Sequence, residues 1–411
     1  MKITHIHIER FRGFQNEDFE VGSLLTAIAG QNGTQKSTLL GIITQTFTLK
    51  TEDSMRVEKP LCGGSYISAF KDKFRLSPTF DKPKGHEWTI SFDAGMDDFT
   101  VESIKRTGDP NVRFWKKGAR QEGDGYISFP TIFLSLKRLV PVAEEAKIIT
   151  DDTLLTQEEL NEFKQLHNKI LIAQTPISSA TTITSKNKQS IGVSTELYDW
   201  NQNSMGQDNL GKIILALFSF KRLHDKYPRQ YKGGILAIDE MDATMYPASQ
   251  VELLKVLRKY ASKLNLQILF TTHSMSLLKA MDDLVQEVTK KEETANQAKI
   301  LYLKKVDDKI AIKQGVNFKG IQLDLNVVAE GNNRKKNRIT AYTEDKENIL
   351  FVKAILKSKA FVLDFVDVTL PCSTLMELVT KRVPAFIYPY SIVILDGDVR
   401  MNKNDLRKIN K

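Results

Sequence analysis

The stretch GQNGTQKSTLL, residues 30–40, decides how this sequence is interpreted. It follows LLTAIAG, a continuous apolar run that predicts a buried strand, and it leads into apolar residues at helical spacing. A strand, a glycine-bearing loop and a helix in this order form a phosphate-binding loop when the pattern G-x-x-x-x-G-K-[ST] is present. Gly30, Lys36 and Ser37 match the pattern, whereas Gln35 stands where it has its second glycine.

The chemistry of such a loop depends on three features. Backbone amides line a concavity, a lysine reaches the β- and γ-phosphates, and a hydroxyl binds Mg²⁺. The positive end of the following helix adds to the attraction for phosphate. Gly33 supplies flexibility, whereas Gln35 must take the tight turn with a Cβ, at a cost of about 1 kcal/mol. We therefore predict that Lys36 and the remaining amides hold a nucleotide, with slow or conditional hydrolysis.

Two acidic residues follow a second apolar run. The segment ILAI predicts a buried strand that ends at Asp239 and Glu240. An aspartate there can position Mg²⁺ through water, and the next carboxylate can polarise an attacking water. A strand end that simply carries surface acids is the alternative interpretation.

Three further candidates surround this acidic pair. Asp242 follows it, and His273 in TTHS stands at the end of the next predicted strand, where it can contact a γ-phosphate or serve a structural role. Upstream, SMGQ places Ser204, Gly206 and Gln207 just before a predicted helix. Exposed amides and a serine at a helix start form an anion site, although an ordinary N-cap has the same sequence.

The order of these segments resembles the ABC-type ATPase heads of the SMC, RecF and OLD group. In that family SxGQ is the signature motif, which completes the pocket of a partner subunit, and two heads sandwich two nucleotides. The resemblance spans roughly residues 1–280 and implies ATP and Mg²⁺ as cofactors and a head-to-head dimer or a dimer of dimers. It implies nucleotide contacts from Arg12 of ERFRGF and from Gly30, Asn32, Gly33, Gln35, Lys36, Ser37, Thr38 and Asp242; Mg²⁺ ligands Ser37 and Asp239; general base Glu240; switch His273; and trans contacts Ser204, Gly206 and Gln207.

The predicted fold is α/β, with an ABC-type P-loop ATPase head over residues 1–325. We expect a mixed sheet flanked by helices, a β-rich N-terminal part and a helical insertion at about 140–200. Within the insertion, Thr156 and Glu159 have capping-box spacing, which predicts a helix start. Polar residues 176–192 predict a mobile loop.

The basic segment EGNNRKKNR predicts a domain boundary before a second α/β unit at residues 335–411. In that unit Glu344 lies near a predicted strand end, and Asp396 and Asp398 form a D-x-D motif in SIVILDGD. These residues resemble the Toprim fold of OLD-type nucleases, whose converging carboxylates bind Mg²⁺ for phosphodiester cleavage. Because the chain stops soon after the motif, we expect a reduced Toprim-like unit with a structural or assembly role. An ordinary α/β unit with surface acids is the alternative.

The combination of such a head with a reduced Toprim-like tail resembles the PtuA-type ATPases of Septu and retron-linked anti-phage defence systems. The phrases GQNGTQKSTLLGI and MGQDNLGKIILALFSFKRL carry this resemblance. It implies a scaffold that regulates the HNH nuclease PtuB, with a retron reverse transcriptase and its RNA–DNA hybrid as further partners. Two alternatives stay open: an OLD-like nuclease that cuts DNA with Glu344, Asp396 and Asp398, and a RecF-like DNA-repair ATPase.

Composition fits a globular protein of 411 residues, with 41% hydrophobic and 27% charged residues. We expect a cytoplasmic protein, because the sequence shows no membrane span or signal peptide. Its two cysteines, Cys62 and Cys372, lie far apart in sequence, which suits a reducing compartment. The net charge of +9 points mildly toward polyanions. Candidate nucleic-acid contacts, for which a solvated surface role is the alternative, are Lys137, Arg138, Arg334, Lys335, Lys336 and Arg338.

Overall fold

The protein divides into two compact units, Met1–Leu323 and Asp324–Lys411. The computed structural model describes residues 1–67, 73–77, 79–93, 95–105, 112–119, 125–139, 148–151, 154–185, 189–329, 339–387, 391–397 and 399. No helix within these described ranges is long and apolar enough to span a membrane.

A mixed six-stranded sheet forms the centre of the first unit, in the order β16-β15-β3-β14-β13-β9. Its strands are parallel except for the edge strand β16, which pairs antiparallel with β15 through a turn at Asp307. The predicted α/β fold with a mixed sheet flanked by helices is confirmed. The strands are β3 (Leu25–Gly30), β9 (Thr131–Leu134), β13 (Gly234–Ile238), β14 (Leu266–Thr272), β15 (Ala298–Val306) and β16 (Lys309–Gln314).

An antiparallel sheet in the order β2-β1-β5-β6-β7 accounts for the predicted β-rich N-terminal part. Ile6 and Ile8 share the buried face of its strand β1, as their alternation predicts. A short parallel pair, β4 with β8, lies nearby in sequence. The strands are β1 (Ile3–Phe11), β2 (Phe14–Glu20), β4 (Phe47–Thr48), β5 (Glu87–Phe92), β6 (Phe99–Lys105), β7 (Val112–Lys116) and β8 (Ile127–Ser128).

One apolar core joins the two sheets around helix α1 (Lys36–Thr44). Leu39, Leu40, Ile42 and Ile43 of this helix are fully buried and belong to the same cluster as the inward residues of β1, β5 and β14. Burial of side chains of this size stabilises the fold by about 1.5–3 kcal/mol each. The helix that follows the phosphate-binding loop is therefore held by packing from Leu39 to its C-terminal end.

Further helices complete the first unit, and one of them, α3, has the predicted N-cap at Ser204. Helices α4 and α5 pack on the central sheet, and α2 packs on α3 and α4. The helices are α2 (Gln157–Leu171), α3 (Met205–Lys226), α4 (Pro247–Lys263) and α5 (Met275–Val288), followed by α6 (Phe318–Ala329), which contains the division between the units.

The insertion contains a sheet as well as the predicted helix. Thr156 and Glu159 form the capping box of α2, as predicted. The mobile loop predicted for residues 176–192 is wrong, because β11 (Ser179–Thr184) pairs with β12 (Gln189–Ser194) and with β10 (Ile149–Asp151). Its threonines and isoleucines favour strands, and Ile183 and Ile191 are buried.

The second unit contains a parallel sheet in the order β18-β17-β19, together with helices α7 and α8. The ladder between β18 and β17 is short and ends where Phe365 pairs with Ala341. The elements are β17 (Ile339–Thr343), α7 (Lys346–Leu356), β18 (Leu363–Phe365), α8 (Cys372–Thr380) and β19 (Ser391–Ile394).

Candidate functional site

The loop between β3 and α1 has the conformation of a phosphate-binding loop. Gly30 has φ 153° and Gly33 has φ 80°, both in the region that favours glycine. Gln35 adopts the left-handed conformation, with φ 62° and ψ 31°, directly before the helix starts. The first intrahelical bond runs from the Leu39 amide to the Gln35 carbonyl at 3.0 Å. The amides of residues 35–38 thus lack intrahelical acceptors and are available to an anion.

Lys36 lies within this loop as a buried ammonium group. Its Nζ donates to the carbonyls of Gly30 at 3.1 Å and Gln31 at 3.0 Å. Burial lowers the pKa of Lys36 below its ordinary value, and the charges of Glu240, Asp239 and Asp242 offset only part of this effect. Carbonyl oxygens are weaker partners for an ammonium group than phosphate oxygens. The side chain is therefore already placed in the loop and can exchange its partners for those of a phosphate.

Ser37 and Asp239 meet although they lie 202 residues apart. The Ser37 Oγ donates to Asp239 Oδ1 at 2.8 Å, and Thr271 Oγ1 donates to the same oxygen at 2.7 Å. A hydroxyl and a buried carboxylate at this distance are the hard oxygen donors that Mg²⁺ prefers. The residues present fit a magnesium ion held by Ser37 and Asp239.

Glu240 occupies a backbone conformation that its neighbours hold from both sides. Its φ is 50°, in the left-handed region. Its amide donates to Thr271 Oγ1 at 2.6 Å, and its carbonyl accepts a bond from the Nη2 of Arg138 at 2.7 Å. Thr271 thus positions both acidic residues, a role that sequence reasoning missed. The only sequence signal for it is its place in TTHS, at the end of the neighbouring strand.

His273 lies against the same acidic group. Its amide donates to Asp242 Oδ1 at 3.3 Å. Burial and the charge of Lys36 lower the pKa of His273 below its ordinary value. The nearby acids Asp242, Glu240 and Asp239 offset only part of this effect. The structure therefore brings together the predicted residues of the loop, the acidic strand end and the switch position.

The signature-like segment meets the loop that follows the acidic pair. Ser204 Oγ accepts a bond from the Gln207 amide at 3.3 Å, and Gln207 Oε1 accepts one from the Ser204 amide at 2.9 Å. A Cβ on Gly206 would lie 2.6 Å from the Thr244 carbonyl oxygen, so only glycine allows this approach. Within one copy, Ser204 is the N-cap that the plainer interpretation predicted, and its trans contact stays a prediction.

Arg12 lies beside the phosphate-binding loop but pairs with an acid that sequence reasoning missed. Its Nη1 donates to Thr38 Oγ1 at 3.4 Å, and its Nε and Nη2 donate to Asp81 at 3.0 and 2.9 Å. Burial raises the pKa of Asp81, but the bonds from Arg12, the Ser77 amide and His86 outweigh it and lower this pKa to about 2. The guanidinium group is thus oriented by a fully ionised carboxylate.

Gln35 places its side chain against the turn that follows Arg12. A Cβ on Gly13 would lie 2.9 Å from Gln35 Nε2 and 2.7 Å from Ile310 Cγ1, so a larger residue at 13 would displace these side chains. Gln35 Oε1 is buried without a hydrogen-bond partner in the described parts of the chain. The departure from the loop pattern is therefore accommodated by the turn at Gly13 at the expense of an unsatisfied carbonyl.

Arg138 corrects one of the nucleic-acid predictions. Its side chain is only 1% exposed, so it can neither meet nucleic acid nor form a solvated surface. Lys137 beside it is exposed. Arg334, Lys335, Lys336 and Arg338 lie outside the residues that the structure describes.

Two of the three acidic candidates of the tail follow neighbouring strands of its sheet. Glu344 follows β17 and Asp396 follows β19, and these neighbouring strands are parallel. Asp398 lies outside the described residues. Among the residues that are described, no group of three histidines, cysteines or acids could hold a metal ion. The structure therefore places two candidates at adjacent strand ends without forming a metal site from them.

Comparison with known proteins shows what the chain is similar to. No curated protein sequence matches it. Among solved structures, the SMC head domain from Thermotoga maritima is 14% identical, with a TM-score of 0.42, and the match covers 77% of this chain and 100% of that one. The Smc head domain from Pyrococcus furiosus bound to the C-terminal domain of ScpA is 12% identical, with a TM-score of 0.43, covering 80% and 99%.

A family model gives the more specific match. Residues 135–278 match the AAA ATPase domain. This segment contains Asp239, Glu240 and His273 but not the phosphate-binding loop. The chain is thus similar to AAA ATPase domains over the segment that carries the acidic pair and His273.

Proposed function

We propose that this protein binds Mg²⁺·ATP in the loop before α1 and hydrolyses it as an ABC-type ATPase. The observation that carries the proposal is the bond from Ser37 to Asp239 at 2.8 Å, which joins the loop to the acidic strand end. The match of residues 135–278 to the AAA ATPase domain supports it. The direct test is binding and turnover of Mg²⁺·ATP by the purified protein.

Each residue has a defined task in this proposal. Lys36 and the first amides of α1 bind the β- and γ-phosphates. Ser37 and Asp239 would hold a magnesium ion, which would neutralise part of the negative charge of the phosphates. Glu240 accepts the proton of the attacking water, and His273 donates a hydrogen bond to the γ-phosphate.

The proposal includes a dimer in which Ser204 and Gly206 contact the nucleotide of the second copy. Mixing two inactive variants tests this. Ser204→Arg blocks the contact in trans and Lys36→Ala blocks the loop in cis, so each alone is expected to be inactive. A mixed dimer keeps one intact site, and we expect the mixture to recover about a quarter of wild-type phosphate release.

The control for this mixture is Thr156→Arg, which removes the capping box of α2 away from the site. It is expected to lose about 1 kcal/mol of stability with wild-type turnover. A mixture with no more activity than its two components would contradict the trans contact.

Gln35 gives a prediction about rate. Gln35→Gly removes the strain of the left-handed residue and frees the loop from the turn at Gly13. We expect turnover to rise about fivefold, which corresponds to about 1 kcal/mol. Gln35→Ala keeps a Cβ in the left-handed conformation and serves as the control, with no such rise. Equal rates for wild type and Gln35→Gly, measured by phosphate release, would show that this residue does not slow hydrolysis.

On the sequence resemblance alone, we propose further that the ATPase belongs to a PtuA-type anti-phage system. In this role it would hold or regulate an HNH nuclease of the PtuB kind, and a retron reverse transcriptase with its RNA–DNA hybrid would be a further partner. Nucleotide-dependent co-purification with an HNH nuclease encoded beside the gene would support this role.

One observation favours a second candidate, an OLD-like nuclease. Glu344 and Asp396 follow adjacent parallel strands, as a carboxylate pair for metal-dependent cleavage requires. Nicking of plasmid DNA by the protein alone in Mg²⁺ or Mn²⁺, lost in Asp396→Ala, would favour this candidate. The absence of such nicking would favour a structural role for the tail.

A further inference from the structure

A buried arginine connects three parts of the site, and within the described residues its hydrogen bonds go to neutral acceptors. Arg138 Nε donates to Asn209 Oδ1 at 2.6 Å, and Nη2 donates to the Glu240 carbonyl at 2.7 Å. Its Nη1 donates to the carbonyls of Leu134 and Ser135 at 3.3 and 3.2 Å. Burial of a charge is costly, and the nearby charges of Asp239, Glu240 and Asp242 offset only part of this cost, so that the pKa of Arg138 is lowered to about 10. The guanidinium group of Arg138 thereby fixes the positions of the acceptors that it bonds.

Asn209 extends this connection into α3, the helix that begins after Ser204. Its side chain is fully buried in the second turn of α3. While Oδ1 accepts from Arg138, Nδ2 donates to the Ala243 carbonyl at 2.9 Å. One amide thus links α3 to the end of β9, through Arg138, and to the loop after Glu240.

A second contact joins the same two segments closer to the helix start. Gly206 lies against the Thr244 carbonyl, at a distance that leaves no room for a Cβ. Thr244 has φ 68° and Glu240 has φ 50°, so the loop between them is held in a strained conformation at both ends. A movement of the first turns of α3 is therefore expected to displace this loop.

We propose that Arg138 and Asn209 are positioning residues that couple the first turns of α3 to the catalytic carboxylate of Glu240. This inference rests on the proposed function, in which a nucleotide of the second copy engages Ser204 and Gly206. Engagement shifts the start of α3, Asn209 carries the shift to Ala243 and Arg138, and Arg138 carries it to the Glu240 backbone. Hydrolysis thereby depends on a completed dimer.

Two substitutions separate the links of this path. Asn209→Asp keeps an acceptor for Arg138, and it loses the donor to the Ala243 carbonyl. Because the new carboxylate neutralises the buried guanidinium, we expect this variant to fold. Arg138→Lys keeps the charge and cannot reach the same set of acceptors. The control is Arg222→Lys, which lies on α3 as Asn209 does. Arg222 donates to Glu159 and to the Leu154 carbonyl, away from the site.

We expect both variants to bind Mg²⁺·ATP as the wild type does, and their kcat to fall by about 10- to 100-fold. The double variant should be no slower than the slower single variant, because both interrupt one path. Arg222→Lys should keep wild-type kcat. Hydrogen exchange supplies a readout that needs no turnover: bound ATP should slow amide exchange at 240–244 in the wild type but not in Asn209→Asp.

Wild-type kcat and exchange in Asn209→Asp would overturn the coupling. The coupling would also be overturned if kcat fell in proportion to the loss of melting temperature, and did so in Arg222→Lys as it does in the two variants. Arg138 and Asn209 would then have a structural role. If the wild type itself binds no ATP, the proposed function fails together with the coupling. Normal binding by the wild type, with variants that behave like it, would reject the coupling alone.

Discussion

Glu240→Gln is expected to reduce ATP turnover by about 10²- to 10⁴-fold, the range that a general base contributes. The substitution changes only the carboxylate, because the bonds that hold residue 240 come from its backbone amide and carbonyl. Removal of one negative charge beside Lys36 also favours bound phosphate. We therefore expect ATP affinity equal to or above that of the wild type, together with a dimer that persists in ATP.

The measurement is phosphate release at saturating ATP, with size-exclusion chromatography to follow the dimer. Glu252→Gln is the matched control, since Glu252 pairs with Lys255 on α4 and takes no part in the site. Turnover of Glu240→Gln within threefold of the wild type would mean that another group accepts the proton.

Lys36→Ala is expected to have the second large effect, a loss of nucleotide binding. The ammonium group is buried among carbonyls and three nearby acids, so its removal leaves a site that repels phosphate. Loss of a buried charge partner costs about 2–4 kcal/mol, which weakens binding about 30- to 1000-fold. Titration with a fluorescent ATP analogue measures this.

Lys73→Ala provides the control for that titration. Lys73 donates to the Thr44 carbonyl at 2.7 Å, at the opposite end of the same helix. It is expected to bind nucleotide as the wild type does. Equal affinity of Lys36→Ala and the wild type would show that the nucleotide does not bind in this loop.

The local elements of the site could be predicted from the sequence because their signals are local. The strand before Gly30, the helix from Lys36 and the strand before Asp239 each have their own apolar pattern, and the structure confirms them. The capping box of Thr156 and Glu159 is also confirmed. Here four neighbouring residues suffice for a prediction.

The contacts that organise the site could not be predicted, since they join residues distant in sequence. Arg138 has the sequence of a surface cation, yet its partners Asn209 and Glu240 lie 71 and 102 positions away. Asp81 meets Arg12 across 69 positions. The hairpin at 179–194 has the sequence of a loop because its polar threonines conceal a strand whose buried face depends on neighbouring elements.

The central claim is that the loop at residues 30–37 and the acidic strand end form one Mg²⁺·ATP site. Equilibrium binding of ATP to the wild type and to Asp239→Asn, with and without Mg²⁺, tests it most directly. We predict Mg²⁺-dependent binding by the wild type and binding by Asp239→Asn that no longer responds to Mg²⁺. No binding by the wild type, or an undiminished Mg²⁺ response in Asp239→Asn, would contradict the claim.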